Sequence, residues 1–245
     1  MHAVIHCSPN IAWQPKRAAF FAEGLKKVGV TVEITSDRFR HDEGFPILLG
    51  TTLWRSIERD GGEFLLVDRC SFGDTEKFVS LVWNGHGRRG NHKVPENFNG
   101  ERWERHGFEL KSINREPATR VVLCGQTESY SPSYPRVEDW YASLGLWPSN
   151  FRKHPAGQNL TGLPDAGDFR STDIAVTLNS SIGVQCVLNG VATVTMDEGA
   201  MAYEVTGHAK NMAYIGEREP WCHWLAWTQW SDDEIREGTP WAWHL

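Results

Sequence analysis

"DIAVTLNSSIGVQCVLNGVATVT", residues 173–195, opens on one apolar run and closes on another. Ile174, Ala175, Val176 and Leu178 suit a buried strand, and Val191, Ala192 and Val194 suit a second. A short apolar helix fits between them, so the stretch reads as strand, loop, helix, strand, a unit of an α/β sheet. Asn179, Ser180, Ser181 and Gly183 stand where the first strand runs into the helix. A helix N-terminus carries unbonded N–H groups and the positive end of the dipole. Hydroxyls there, with a glycine that admits a ligand, favour an anion, and phosphate first. The same residues read equally as an ordinary N-cap. No GxxxxGK[ST] occurs in the chain, so this is not a Walker loop.

Upstream, 2–7 is short, apolar and β-branched and reads as a strand. Residues 15–29 put Ala18, Phe21, Ala22 and Leu25 on one helical face, Gly29 stops the helix, and 30–35 is a second strand. This is the opening of an open parallel α/β sheet. Further strands are expected over 45–51, 63–68 and 78–85, with a helix over 52–61. The polar stretch 86–116 reads as a surface loop and an interdomain crossing. A new α/β unit then starts with a strand at 120–126, a loop and helix over 131–147, and a strand edge or loop at 150–157. The tail from Arg218 onward reads as helical, with Trp221, Trp224, Trp227 and Trp230 at every third position. The expected fold is therefore α/β, two Rossmann-like lobes with a Trp-rich C-terminal helical segment. The lobes would span 1–116 and 117–245.

Composition agrees with a folded chain. Of 245 residues, 40% are hydrophobic and 23% charged, which excludes a disordered class. A net charge of −6 excludes a wholly basic nucleic-acid binder, although not a local basic patch. No apolar run reaches a membrane span and the N-terminus lacks a signal-peptide pattern, so a cytoplasmic protein is expected. The five cysteines are dispersed, with no CxxC, and read as reduced, small core residues. The ten histidines are dispersed too, there is no HExxH, and no metal is expected. No GxSxG elbow marks a serine nucleophile.

A second polar group precedes the opening stretch. Arg152, Lys153 and His154 stand at a predicted strand end, with Pro155 fixing the backbone behind them. Ligands of open α/β sheets bind outside the carboxyl ends of the strands, which is where this group and the Asn-Ser-Ser turn both fall.

Taken together, Gly125-Gln126, Arg152-Lys153-His154-Pro155, Thr177-Leu178-Asn179-Ser180-Ser181-Ile182-Gly183 and Gly190-Val191-Ala192-Thr193-Val194 resemble the nucleotide-binding lobe of GT-B-type glycosyltransferases. The likeness is to the capsular-polysaccharide and bacterial sialyltransferase-like groups, over roughly 119–240. It implies a nucleotide-sugar donor, UDP- or CMP-linked, with no metal. It also implies that Gly125, Gln126, Arg152, Lys153, His154, Asn179, Ser180, Ser181 and Gly183 line the donor site. Ala192 stands where these groups carry proline, and Gln185-Cys186 where they carry Glu-Ala.

The first lobe would then hold the acceptor and a base to take its proton. Candidates are Asp42 and Glu43, an acidic pair followed by glycine, Asp68 at a strand end, and His86. The form is common: Asp197-Glu198-Gly199 has it as well. His86, Arg88 and Arg89, in the basic loop 85–93, would touch the acceptor or a nucleic acid. Residues 64–87 resemble phage-type proteins, which implies a hydroxymethylpyrimidine of double-stranded DNA as acceptor; a glycan is the alternative. Two further readings are a degenerate phosphate- or nucleotide-binding protein without transfer, and a DNA-binding module built on 85–93.

Overall fold

The computed structural model describes residues 1–36, 44–51, 61–113, 117–126, 137–145, 150–152, 169–208, 211 and 215–244. The helix expected over 52–61 lies outside them apart from Gly61. The chain divides into two units, Met1–Arg102 with His223–Leu245, and Trp103–Cys222.

The first unit is built on β1 (His2–His6), α1 (Trp13–Lys27), β2 (Thr31–Thr35), β3 (Phe45–Leu49), β4 (Leu65–Arg69) and β5 (Phe78–Trp83). Its sheet runs β10-β5-β4-β3-β1-β2, where β10 is Gln229–Ser231. β1 pairs in parallel with β2 and β3, and β3 with β4. β5 turns back and is antiparallel to both β4 and β10. The four apolar positions read from the sequence of α1, Ala18, Phe21, Ala22 and Leu25, are all buried. They pack with Ile5, Ile47, Leu65 and Val67 of the sheet, each large side chain contributing roughly 1.5–3 kcal/mol by leaving water.

The tail departs from a single helix. It comprises α5 (Arg218–Trp227), β10, α6 (Asp232–Glu237) and α7 (Trp241–His244). Trp221, Trp224 and Trp227 lie on α5, but Trp230 is a strand residue paired with Val79. Arg102, on α2 (Glu101–Arg105), explains why the helix stops. Its Nε donates to Ala226 O at 2.8 Å and its Nη2 to Gln229 O at 2.7 Å. Its guanidinium lies 4.2 Å from the ring centre of Trp230 and 5.2 Å from that of Trp227, and it pairs bidentately with Glu234. α6 starts on a capping box between Ser231 and Glu234. It then crosses α1 so closely that a Cβ on Gly24 would stand 1.8 Å from Ile235 O.

The division expected at 116/117, with the tail in the second lobe, is thus not the one observed. Residues 223–245 group with the first hundred because β10 completes their sheet and α6 packs on α1. No helix among the described residues is long and apolar enough to cross a membrane.

The second unit holds a four-stranded, all-parallel sheet in the order β7-β6-β8-β9. Its strands are β6 (Arg120–Cys124), β7 (Asn150–Arg152), β8 (Asp173–Thr177) and β9 (Ala192–Thr195). α3 (Val137–Ser143) and α4 (Ile182–Leu188) belong to the same unit. The opening stretch forms β8, α4 and β9 as its pattern requires, with Val122, Cys124, Ala175, Ile182, Cys186 and Val191 in one buried cluster. At the amino edge of the sheet Arg120 grips Asp173, Nε to Oδ1 at 3.1 Å and Nη2 to Oδ2 at 2.6 Å. Those hydrogen bonds hold the Asp173 carboxyl below the usual carboxylate range. Both units are mixed α/β with parallel strands.

Candidate functional site

Because all four strands of the second unit are parallel, their carboxyl ends form one edge. Arg152 ends β7 and is the register partner of Cys124 at the end of β6. Gly125 N donates to Arg152 O at 2.8 Å, which carries the pairing on to the loop holding Gln126. Leu123 pairs with Val176, so Gln126 and Asn179, each three residues further on, stand at equivalent places beyond neighbouring strands. Thr177 pairs with Thr195, and Asp197 follows at the equivalent place beyond β9. Arg152, Gln126, Asn179 and Asp197 thus occupy one edge, in that order across four strands. Lys153 and His154 lie outside the described residues.

The side chains there are held from behind. Tyr141, fully buried on α3, points its hydroxyl at Cys124 O (2.9 Å) and Val176 O (3.0 Å), tying α3 to the ends of β6 and β8. Asp197 is buried and accepts from Gly199 N at 2.8 Å and from Asn179 Nδ2 at 3.0 Å. The second bond fixes the Asn179 amide, since the flipped orientation would set its oxygen against a carboxylate. Asn179 Oδ1 and Gln126 Oε1 are both buried, and neither has a hydrogen-bond donor among the described residues. Buried polar atoms are rarely left so. The guanidinium of Arg152 lies 5.8 Å from the ring centre of Phe169.

The serines divide their work in a way the sequence did not show. Ser180 is buried, its N–H donates to Thr177 Oγ1 at 3.3 Å, and its Oγ accepts from Ile182 N at 3.4 Å. Its carbonyl takes Gly183 N at 3.0 Å. Ser180 therefore caps the first turn of α4, while the Ser181 side chain, in the N-cap position, makes no capping bond. At Gly183 a Cβ would face Thr177 Cγ2 at 3.1 Å and Thr195 Cγ2 at 3.2 Å, so the missing side chain lies on the sheet side of the helix. The glycine lets α4 sit on the sheet. Cys124, under the same edge, has its thiol pushed up to about 12 by burial and is a neutral core group.

In the first unit, Asp68 and His86 come together. His86 Nε2 lies 3.2 Å from Asp68 Oδ2, with both side chains partly exposed. Asp68 Oδ1 accepts from Arg69 N at 2.8 Å. The loop carrying His86 folds back so that Trp83 bridges Asn91, and a Cβ on Gly85 would meet Gly90 Cα at 2.7 Å. Arg88 and Arg89 form a 3-10 turn in it, Gly87–Arg89. Beneath lies His92, buried, with Nδ1 2.8 Å from Leu81 O and Nε2 3.1 Å from Gly87 O. Burial pushes its pKa down to about 4 despite those two carbonyls. Asp42 and Glu43 lie outside the described residues. Neither the Asp197–Asn179 bond nor the Tyr141 anchor was found from sequence. The period of the strands, which aligns 179 with 197, is the signal that could have found the first.

Among solved structures, the β-Kdo 2,7-transferase KpsC of Thermosulfurimonas dismutans is similar, with a TM-score of 0.54 over 98% of this chain and 99% of that one. Identity is 13%, so the likeness is one of fold. No protein-family model matches the chain, and no curated protein matches it.

Proposed function

We propose that this chain is a nucleotide-sugar-dependent glycosyltransferase of the two-lobed GT-B kind. In this reading the second unit binds a UDP- or CMP-sugar at the carboxyl edge of its parallel sheet. The observation that carries the proposal is the gathering of Arg152, Gln126, Asn179 and Ser181 at that edge, two of them with unsatisfied acceptors. It is supported by the likeness in fold to a transferase that acts with Kdo. Arg152, with Lys153 and His154 beside it in sequence, offsets the charge that develops on the departing phosphate.

The acceptor hydroxyl attacks the anomeric carbon, the bond to the nucleoside phosphate breaks, and the acceptor proton passes to a base. Asp68 with His86 is one candidate for that base, the two side chains lying 3.2 Å apart. Asp42 and Glu43 are the alternative. We assign the acceptor to a glycan; a hydroxymethylpyrimidine in DNA rests on the resemblance of residues 64–87 alone. Binding without transfer remains the second reading of the same edge.

Calorimetry with CMP, UDP and GDP and their sugar conjugates, Kdo among them, tests the assignment. One nucleotide should bind, and Arg152→Met and Ser181→Ala should weaken it. A folded protein that binds none of them overturns the donor site.

A further inference from the structure

The two buried amide oxygens carry more than a general pocket. Gln126 and Asn179 each stand three residues beyond the register pair Leu123–Val176 of adjacent parallel strands, and Gln126 Oε1 and Asn179 Oδ1 each lack a donor among the described residues. Asn179 cannot turn its amide to escape, because Asp197 holds the Nδ2 end at 3.0 Å. Both atoms are acceptors, and a carboxylate lies directly behind one of them. An oxygen of a phosphate group brought to this spot would meet two lone-pair donors and a buried negative charge. A hydroxyl or an amine would meet two waiting acceptors.

Charge is graded along the edge in the same sense. Arg152 stands at β7, the neutral acceptors at β6 and β8, and Asp197 at β9. From β7 to β9 is three strand spacings, about 14 Å, which is the scale of a nucleotide laid across strand ends.

We infer that Gln126 and Asn179 are a paired acceptor site for the O–H or N–H donors of the nucleotide, and that they select its uncharged part while the phosphate lies toward Arg152. The inference rests on the donor-site reading above. It parts from the expectation that Asn179 holds phosphate. Two groups could fill the pair, the vicinal ribose hydroxyls or an exocyclic amine of the base, and the test separates them.

The affinity of the protein is measured for whichever nucleoside phosphate binds, for its 2′,3′-dideoxy analogue, and for analogues with cytosine, adenine or uracil. Each lost acceptor bond should weaken binding by about 10-fold. Loss with the dideoxy analogue identifies ribose hydroxyls. Loss only where the base has no exocyclic amine identifies the amine. Gln126→Met and Asn179→Ala should then flatten that preference, whereas Arg152→Met should weaken every analogue alike. Because the analogue series is run on the unaltered protein, a variant that fails to fold does not decide the matter. Binding that ignores both hydroxyls and amine, or variants that keep the original preference, overturns this inference while leaving the donor site standing. If no nucleotide binds at all, the donor site and this inference fall together.

Discussion

Replacing Arg102 by methionine keeps a long apolar stem and removes the guanidinium. Arg102 and Glu234 have side chains only 5% and 14% exposed. The guanidinium donates to both oxygens of Glu234, to Ala226 O and to Gln229 O, and lies 4.2 Å from the ring centre of Trp230 and 5.2 Å from that of Trp227. Its loss removes the counter-charge of a largely buried carboxylate, leaving it the capping-box bonds from Ser231, and takes a donor from two carbonyls; breaking such a pair from one side costs about 3–5 kcal/mol. In a chain of this length each kcal/mol lowers Tm by about 2–4 °C, so a drop of roughly 6–20 °C is expected. Denaturant unfolding followed by tryptophan fluorescence reads it directly, since Trp227 and Trp230 flank the group. With two units the transition need not be two-state, and the change should fall in the phase that these tryptophans report. Glu234→Met should cost a similar amount, part of it from the lost capping box. The double variant should cost less than the sum by about 1–3 kcal/mol. A single-variant effect below about 1 kcal/mol, or strict additivity, would refute the view that this pair locks the tail to the first unit.

Gly24→Ala puts a methyl against the Ile235 carbonyl and should destabilise by at least about 1–3 kcal/mol through displacement of α6; an unchanged urea midpoint would show that the two helices are free to separate. His92 binds a proton at about pH 6.5 when unfolded but only near 4 when folded. Between these values only the unfolded chain is protonated, so stability is full above 6.5 and falls by about 3 kcal/mol as the pH drops to 4. His92→Gln should flatten that slope, and an equal slope in both proteins would assign the acid sensitivity elsewhere. Gly183→Val should destabilise the second unit by crowding Thr177 and Thr195; a variant of full stability and weakened nucleotide binding would instead point to a ligand-facing role. If Asp68 orients His86 as base, Asp68→Asn should lower kcat by about 100-fold or more with little change in KM, and wild-type kcat would remove the pair from the mechanism.

The first strands and α1 could be read from residues 2–35 because apolar spacing and Gly29 agree there with the final packing. The same agreement makes 173–195 legible as strand, helix and strand. β10 was illegible: Trp at every third position imitates a helix, and what makes Gln229–Ser231 a strand is pairing with β5 and the Arg102 side chain, both more than a hundred residues away. At the candidate site, local chemistry singled out Asn179, Ser180, Ser181 and Gly183, but it did not show that the missing side chain of Gly183 is answered by threonines of the sheet. Asp197 looked like any acidic pair, because its meaning lies in the neighbouring strand. Asp68 and His86 were each visible singly, and only the fold-back of 85–91 joins them.

The place of β10 has a consequence for how the chain is made. The first unit is interrupted by the whole of the second, so its sheet cannot be finished in the order of synthesis. Until residues 229–231 leave the ribosome, the outer edge of β5 at Phe78–Ser80 is an unpaired row of N–H and C=O groups bordering an apolar core. The second unit can fold first, because its four strands are contiguous in the chain. The first unit then closes last where the chain began, and a nascent chain stalled before Trp230 would carry an open, adhesive sheet edge.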